Sequence, residues 1–170
     1  MNMIDTERLV IKPLTPEQLT KYIRADNSLE LELNLNPAPR TISPELKEAL
    51  ERDILPNLSD TGKNYLFYTL WTIILKEENK IIGDLCFCGE PNADGEIEIG
   101  YGTYKEYRKR GFMTEAVGEM IKWAGRQPAV KAITASTEKS NIDSHSVLER
   151  NNFTKSGETD TLFKWKLEIT

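Results

Sequence analysis

The clearest pattern of apolar and polar positions lies in the segment EYRKRGFMTEAVGEMIKWAG, residues 106–125. Apolar side chains recur there at intervals of three and four residues, which is the period of an amphipathic helix. The pattern therefore predicts a helix with one apolar stripe, about 100° wide or more, that packs against a sheet. The stripe consists of Phe112, Met113, Ala116, Val117, Met120, Ile121 and Ala124.

Residues 65–103 have a pattern typical of strands. Three β-rich runs, YLFYTLWTIIL, IIGDLCFCG and EIEIGYGT, are separated by the polar segments KEENK and PNADG. Short polar turns between such runs predict an antiparallel meander.

Shorter elements are predicted on both sides of these segments. TERLVIKPL, residues 6–14, is predicted as a strand, and Thr15 and Ser43, each followed by proline, as helix N-caps. After the long helix we expect a strand in AVKAITAST, a short helix in NIDSHSVLERNN and a C-terminal hairpin. The chain shows no repeat, linker or low-complexity segment, which predicts a single α/β domain over residues 1–170.

The segment SLELELNLN, residues 28–36, gives two conflicting signals. Its strict alternation of leucine with polar residues indicates a strand, whereas leucine and glutamate favour a helix. The sequence leaves both alternatives open.

Composition limits the classes of function. With 170 residues and 39% apolar content, the chain is long enough for one core. No apolar run reaches the roughly 18 residues of a membrane span, and the charges of Asp5, Glu7 and Arg8 do not suit a secretory signal. A net charge of −5 argues against general binding of nucleic acid.

The two cysteines and the single histidine do not suggest a metal or a disulfide. Cys86 and Cys88 would share one face of a strand, too far apart for a relaxed disulfide, and His145 is distant in the chain. We expect reduced core thiols in a cytoplasmic protein, no metal, and a solvated histidine.

A cluster of cations directly precedes the long helix. Arg108, Lys109 and Arg110 are followed by Gly111, whose missing side chain would let a phosphate approach the backbone. The N–H groups and the dipole at a helix N-terminus also favour an anion. The segment is thus either a cradle for a diphosphate or a solvated basic turn.

Four segments together resemble a known family. RKRGFM resembles the Arg/Gln-x-x-Gly-x-Gly/Ala acetyl-CoA loop of the GNAT N-acetyltransferase superfamily. TERLVIKPL and EIEIGY resemble the opening and central strands of its RimJ/RimL-type branch. NIDSHSVLERNNF resembles the branch's Asn-x-x-Ser-x-x-Val-Leu-Glu-Lys-x-Gly-Phe segment.

This resemblance implies an α/β fold with a mixed, mainly antiparallel sheet whose two central strands splay apart. Acetyl-CoA, as co-substrate, would lie in that gap, with its pantetheine bonded to backbone near Tyr101 and Thr103. An amide-bearing arm can satisfy backbone groups that splayed strands leave unpaired. The pyrophosphate would be held by Arg108, Lys109, Arg110, Gly111, Phe112, Met113 and Thr114.

The resemblance also suggests catalytic residues. Glu98 is the candidate general base; its alternative role is a strand glutamate that faces solvent or orders the amine. Ser144 is the candidate proton donor to the CoA thiolate, because Leu148 occupies the position of the tyrosine found in many GNAT enzymes. Asn141 is expected to cap the following helix, to bond pantetheine, or both.

Other positions depart from the family or have a simpler interpretation. Met113 replaces a small residue of the loop and Asn152 replaces a glycine at a helix end, where asparagine also adopts the left-handed conformation. Trp123 and Trp165 are interpreted as packing residues. Glu30 and Glu32 fall where the family lines its acceptor site, but surface charge is the simpler expectation.

The leading hypothesis is therefore an acetyl-CoA-dependent N-acetyltransferase that acts by direct transfer on a primary amine, either a protein N-terminus or a small amine. The alternative is a catalytically silent acyl-CoA-binding sensor or scaffold. No nucleic acid, membrane or metal partner is expected, and the resemblance suggests a homodimer.

Overall fold

The computed structural model describes residues 3–58, 60 and 62–169. The chain divides into two compact units, residues 1–86 and residues 87–170. No helix among the described residues combines the length and apolar character needed to cross a bilayer. The single domain expected over residues 1–170 stays a prediction.

The first unit contains a small antiparallel sheet. Its neighbouring strands pair in the order β1-β2-β3-β4, and every residue of β3 is buried. A strand buried at every position has neighbours on both of its faces. The strands are β1 Ile4–Asp5, β2 Leu9–Pro13, β3 Leu70–Leu75 and β4 Lys80–Phe87.

The structure confirms the predicted β2 but shortens the first run of the meander. Tyr65–Phe67 forms a 3₁₀ turn, and β3 begins only at Leu70. The side chain of Asn64 accepts a hydrogen bond from the Leu66 N–H, and the indole of Trp71 donates to the Leu66 carbonyl at 3.1 Å. These bonds favour the turn over an extended backbone.

Two helices of the first unit, α1 and α3, start where the sequence predicts. Thr15 caps α1 in a capping box with Gln18, and Ser43 caps α3. The first five residues of the ambiguous segment 28–36 form a helix, α2. The helices are α1 Pro16–Arg24, α2 Ser28–Glu32, α3 Pro44–Ala49 and α4 Leu55–Leu58, with a π-helical turn at Leu50–Ile54 between the last two.

A buried ionic cluster holds α2. Glu30 is 1% exposed, and its Oε2 accepts a hydrogen bond from Nη1 of Arg40 at 2.8 Å. The guanidinium of Arg40 lies 4.4 Å from the ring centroid of Tyr22, whose hydroxyl donates to Asp84 at 2.5 Å. The prediction of Glu30 as a surface charge was therefore wrong, whereas Glu32 is exposed and pairs with Lys21.

The second unit is a four-stranded sheet with two helices. Strand β5 is parallel to β6, and β8 is antiparallel to both β6 and β7. The expected mixed, mainly antiparallel arrangement is thereby confirmed. The elements are β5 Glu96–Thr103, α5 Phe112–Gly125, β6 Ala132–Glu138, α6 Ile142–Arg150, β7 Thr154–Glu158 and β8 Leu162–Glu168.

The core of the second unit forms around α5. The predicted apolar stripe is buried, except that Ile121 is half-buried. Trp123, also buried, stacks on Phe87, which is the first residue of this unit, with ring centroids 5.5 Å apart. Trp165 is buried and donates its indole N–H to the Thr137 hydroxyl at 2.9 Å. Both tryptophans are packing residues, as predicted.

The cysteines are free but do not belong to the core. Cys86 is half-buried and Cys88 is exposed. Side chains alternate along β4, so the buried Leu85 and Phe87 point to the opposite face from Cys86, and Cys88 follows the end of the strand. The prediction of free thiols is confirmed, and the prediction of core thiols was wrong.

Candidate active site

Strands β5 and β6 pair over only part of their length. Among the described residues their ladder comprises Glu96 with Ala132, Ile97 with Ile133 and Glu98 with Thr134. Strand β5 continues to Thr103 and β6 to Glu138 without further pairing to each other. The splay expected of the two central strands is therefore present in the second unit.

A cavity of about 490 Å³ lies beside the end of β5 that does not pair with β6, called here the unpaired end of β5. Its volume is within the range of small-molecule sites. Ten of the twelve predicted site residues line it, and Glu98 and Arg110 do not. The ten are Tyr101, Thr103, Arg108, Lys109, Gly111, Phe112, Met113, Thr114, Asn141 and Ser144.

The end of β5 leaves open space at a residue that the sequence analysis did not select. Gly102 lines the cavity, and a Cβ added to it would meet no protein atom within 4 Å. The neighbouring Thr103 carbonyl accepts a hydrogen bond from Nε of Arg108 at 2.9 Å. One edge group of β5 is thus occupied by the protein, while the space over Gly102 remains open for a ligand.

The loop before α5 uses two left-handed residues. Lys109 has φ 64° and Gly111, the N-cap of α5, has φ 80°. Gly111 brings no side chain to cap the helix. Gly111, Met113 and Thr114 border the cavity together with Lys109, and the first-turn amides of a helix have no acceptor within the helix itself. This arrangement suits an anion.

The two arginines of the loop have contacts within the protein. Arg108 bonds the Thr103 carbonyl, and the guanidinium of Arg110 lies 5.3 Å and 5.1 Å from the ring centroids of Tyr107 and Phe112. Arg110 is absent from the cavity lining. Direct pairing of both arginines with a phosphate, as the sequence suggested, therefore has less structural support than binding by backbone amides and Lys109.

The first turn of α6 brings Asn141 and Ser144 to the cavity. The side chain of Asn141 accepts a hydrogen bond from the Ser144 N–H at 3.2 Å, which confirms the predicted cap. Ser144 donates its hydroxyl to the Tyr101 oxygen at 2.9 Å, and Tyr101 donates to the Ser144 carbonyl at 3.1 Å. Burial raises the pKa of Tyr101 to about 12.

The histidine next to Ser144 is buried, not solvated. The ring of His145 lies 5.2 Å from that of Phe163 and 5.7 Å from that of Trp165. Its Nε2 lies 3.0 Å from the Glu138 carbonyl oxygen. The prediction of a surface histidine was wrong because the β8 aromatic residues cover it.

The two carboxylates of β5 have different surroundings. Glu96 bonds Lys166 at 2.9 Å, and this hydrogen bond holds the pKa of Glu96 below its ordinary value. Glu98 is exposed, and its carboxylate helps to raise the pKa of the Cys88 thiol, for which partial burial is the larger cause. Within the part of the chain that the structure describes, Glu96 has a lysine partner and Glu98 has none.

The sequence analysis missed part of the α6 face. Asp143, Val147 and Arg150 line the cavity at intervals of four and three residues, which places them on one side of a helix. Helical periodicity downstream of Asn141 could have identified them. Tyr107, Glu138 and Ser146 also line the cavity.

These features fit acetyl-CoA. The open space at Gly102 can accept a narrow chain, and the uncapped end of α5 with Lys109 can accept a phosphate group.

Comparison with known proteins agrees with this fit. The sequence model of the acetyltransferase (GNAT) domain family matches residues 8–154 of this chain. The uncharacterized N-acetyltransferase YjdG of Bacillus subtilis is 30% identical over 155 residues, which cover 90% of each chain. The uncharacterized N-acetyltransferase p20 of Bacillus licheniformis is 26% identical over 157 residues, 92% of this chain and 85% of that protein.

Solved structures show the same fold. Ribosomal-protein-S5-alanine acetyltransferase from Vibrio fischeri has a TM-score of 0.73 at 18% identity, covering 99% of this chain and 97% of that one. RimL, the ribosomal L7/L12 α-N-protein acetyltransferase, in complex with coenzyme A has a TM-score of 0.70 at 17% identity, covering 99% and 98%. With its matched family model and its relatives, the chain belongs to the GNAT acetyltransferase family.

Proposed function

We propose that this protein transfers the acetyl group of acetyl-CoA directly to a primary amine, either a protein N-terminus or a small amine. The observation that carries the proposal is the cavity beside the unpaired end of β5, bordered by the uncapped N-terminus of α5. Space for a narrow chain and a helix N-terminus suited to an anion would thus lie in the same unit.

The backbone is the main binding element for the cofactor. The first-turn amides of α5, residues 112–114, are proposed to bind the diphosphate, assisted by Lys109. The β5 backbone near Gly102, on the edge that does not pair with β6, is proposed to bond the pantetheine amides. Bound acetyl-CoA supplies a thioester, an activated form of the acetyl group.

Two side chains are proposed to handle protons. Glu98, which is exposed, takes a proton from the acceptor amine, directly or through water. Ser144 offers a hydroxyl in the cavity wall, suited to hydrogen-bond the sulfur of coenzyme A.

The acceptor belongs to the same proposal. RimL and the S5-alanine enzyme are named as acetyltransferases of ribosomal proteins, which supports a protein N-terminal amine and the RimJ/RimL-type branch. Free thiols at Cys86 and Cys88 fit a reducing, cytoplasmic setting. A homodimer remains part of the proposal because the family resemblance suggests it.

The decisive measurement is release of free thiol from acetyl-CoA, with a panel of small amines and of peptides with free N-termini. Release above the acceptor-free background identifies an enzyme. Glu98→Gln is expected to lower turnover at least about tenfold while the affinity for acetyl-CoA is kept. A chain that binds acetyl-CoA but releases no thiol with any acceptor would instead be a silent acyl-CoA-binding module.

The cavity is tested separately by a matched pair of glycine variants. Gly102 and Gly157 lie in strands, and an added Cβ meets nothing within 4 Å at either. Of these two glycines, Gly102 lines the cavity and Gly157 does not. Titration calorimetry with acetyl-CoA is expected to show at least about tenfold weaker binding for Gly102→Ala and unchanged binding for Gly157→Ala. Equal affinities would place the cofactor elsewhere.

A further inference from the structure

Two hydroxyl groups from distant parts of the sequence meet in the cavity wall. Tyr101 belongs to β5 and Ser144 to the first turn of α6, 43 residues later. Each donates one hydrogen bond to the other residue: Ser144 Oγ to the Tyr101 hydroxyl at 2.9 Å, and that hydroxyl to the Ser144 carbonyl at 3.1 Å. The pair therefore fixes the Ser144 side chain and ties α6 to the unpaired end of β5.

The tyrosine is a poor acid in this position. Burial raises its pKa to about 12, whereas a free thiol has a pKa of about 8.5. Tyr101 therefore stays protonated beside a thiolate and acts by hydrogen bonding alone. Leu148, at the position of the tyrosine found in many GNAT enzymes, is fully buried and offers no polar group.

We propose that Tyr101 is a positioning residue for Ser144, and that the two hydroxyls form a chain that stabilises the sulfur of coenzyme A as the thiolate departs. The inference rests on the proposed function. When Ser144 turns its hydrogen toward the sulfur, its oxygen accepts the hydrogen of Tyr101 across the same 2.9 Å. No covalent bond forms or breaks in this rearrangement; two hydrogens change acceptors, and hydrogen bonds in series strengthen one another.

The pKa of the thiol of bound coenzyme A measures this effect without turnover. Thiolate absorbs in the ultraviolet, so its fraction is followed against pH with coenzyme A bound at saturation. At fixed pH we expect Tyr101→Phe to hold an about three- to tenfold smaller thiolate fraction than the natural chain. Ser144→Ala is expected to hold as small a fraction or smaller. The double variant should match Ser144→Ala, because Tyr101 acts through Ser144.

Desulfo-coenzyme A, which lacks the sulfur, separates this role from a merely structural one. It is expected to bind Tyr101→Phe and the natural chain equally. Weaker binding of both ligands by Tyr101→Phe would show that the residue only ties β5 to α6, and an unchanged thiol pKa would also overturn the inference. Tyr68→Phe, which removes a hydroxyl from the first unit, should leave the thiol pKa unchanged. Failure of the natural chain to bind either ligand would overturn the proposed function itself.

Discussion

Arg40 and Glu30 are two opposite charges removed almost completely from water. Their side chains are 3% and 1% exposed, and they are joined by one hydrogen bond of 2.8 Å. Within the described part of the chain, Arg40 Nη2 and Glu30 Oε1 have no hydrogen-bond partner. A buried ion pair contributes little net stability, but removal of one partner leaves an uncompensated charge. The fold of the first unit therefore depends on both residues.

Glu30→Gln is expected to lower the free energy of unfolding by about 3 kcal/mol, because the buried Arg40 charge loses the carboxylate to which it is hydrogen-bonded. Glu32→Gln is the matched control on the same helix. Glu32 is exposed, so the loss of its pair with Lys21 should change stability little. Urea unfolding of both variants measures the difference. Similar losses would contradict the burial of the Glu30 charge.

Asp84 makes stability depend on pH in an unusual direction. Burial raises its pKa from 3.8 to about 6, against the smaller opposing effects of the Tyr22 hydrogen bond and the Arg40 charge. The folded state therefore holds this proton more tightly than the unfolded state. The contribution of Asp84 to stability is largest below about pH 4 and is lost as pH rises through about 6.

Asp84→Asn removes this titration and keeps an oxygen that can accept from Tyr22. The stability of the variant relative to the natural chain should increase by about 2 kcal/mol between pH 4 and pH 7. Urea midpoints across that range provide the measurement. If the stabilities of the variant and of the natural chain change with pH in parallel, Asp84 titrates as an ordinary surface carboxyl.

Helix α5 contributes both to the packing of the second unit and to the proposed anion site. Its buried face anchors Ala116, Val117 and Met120 in the core, while its uncapped N-terminus borders the cavity. The left-handed conformation at Gly111 makes this entry possible without a side chain over the amides.

Gly111→Ala places a Cβ where φ is +80°. The strain is expected to lower stability by about 1 kcal/mol, and the methyl group to weaken acetyl-CoA binding about tenfold. Gly125→Ala at the other end of α5 is the control, because its Cβ would make only an ordinary 3.7 Å contact with Ile169. For both variants, calorimetry measures the affinity for acetyl-CoA and urea unfolding measures the stability. Equal effects on binding would exclude a special role for the N-terminus.

Elements with strong local signals could be predicted from the sequence. The caps at Thr15 and Asn141 and the apolar stripe of α5 depend on residues a few positions apart. Residues 28–36 could not be resolved, because alternation and propensity conflicted there. Their helix buries Leu29 and Glu30, and the partner of Glu30 is Arg40, ten residues away.

The residues of the candidate site could also be predicted in part from the sequence. The loop at residues 108–114 was recognised from its motif, and all of it except Arg110 lines the cavity. The contact between Tyr101 and Ser144 spans 43 residues and joins two side chains chosen for different roles. The burial of His145 and the exposure of Cys86 and Cys88 were also predicted wrongly. Whether a side chain is buried depends on neighbours that are distant in the sequence and on which side of a strand it points to.

At the scale of the whole molecule, the single-domain prediction requires that the two units unfold together. The cavity belongs to the second unit and the Arg40–Glu30 pair to the first. If residues 1–170 form one domain, acetyl-CoA at about one hundred times its Kd should add about 2.7 kcal/mol to a single transition. Differential scanning calorimetry tests this. Two transitions, of which the ligand shifts only one, would contradict the single-domain prediction.

The exposed thiol of Cys88 lies near the Glu98 carboxylate, and this matters for any colour reaction that counts sulfhydryls. Its raised pKa keeps most of it protonated, so a chromogenic disulfide reagent will titrate it slowly. With two cysteines in the chain, that background ends at two equivalents per molecule. Colour that continues past this stoichiometric limit comes from repeated catalytic cycles.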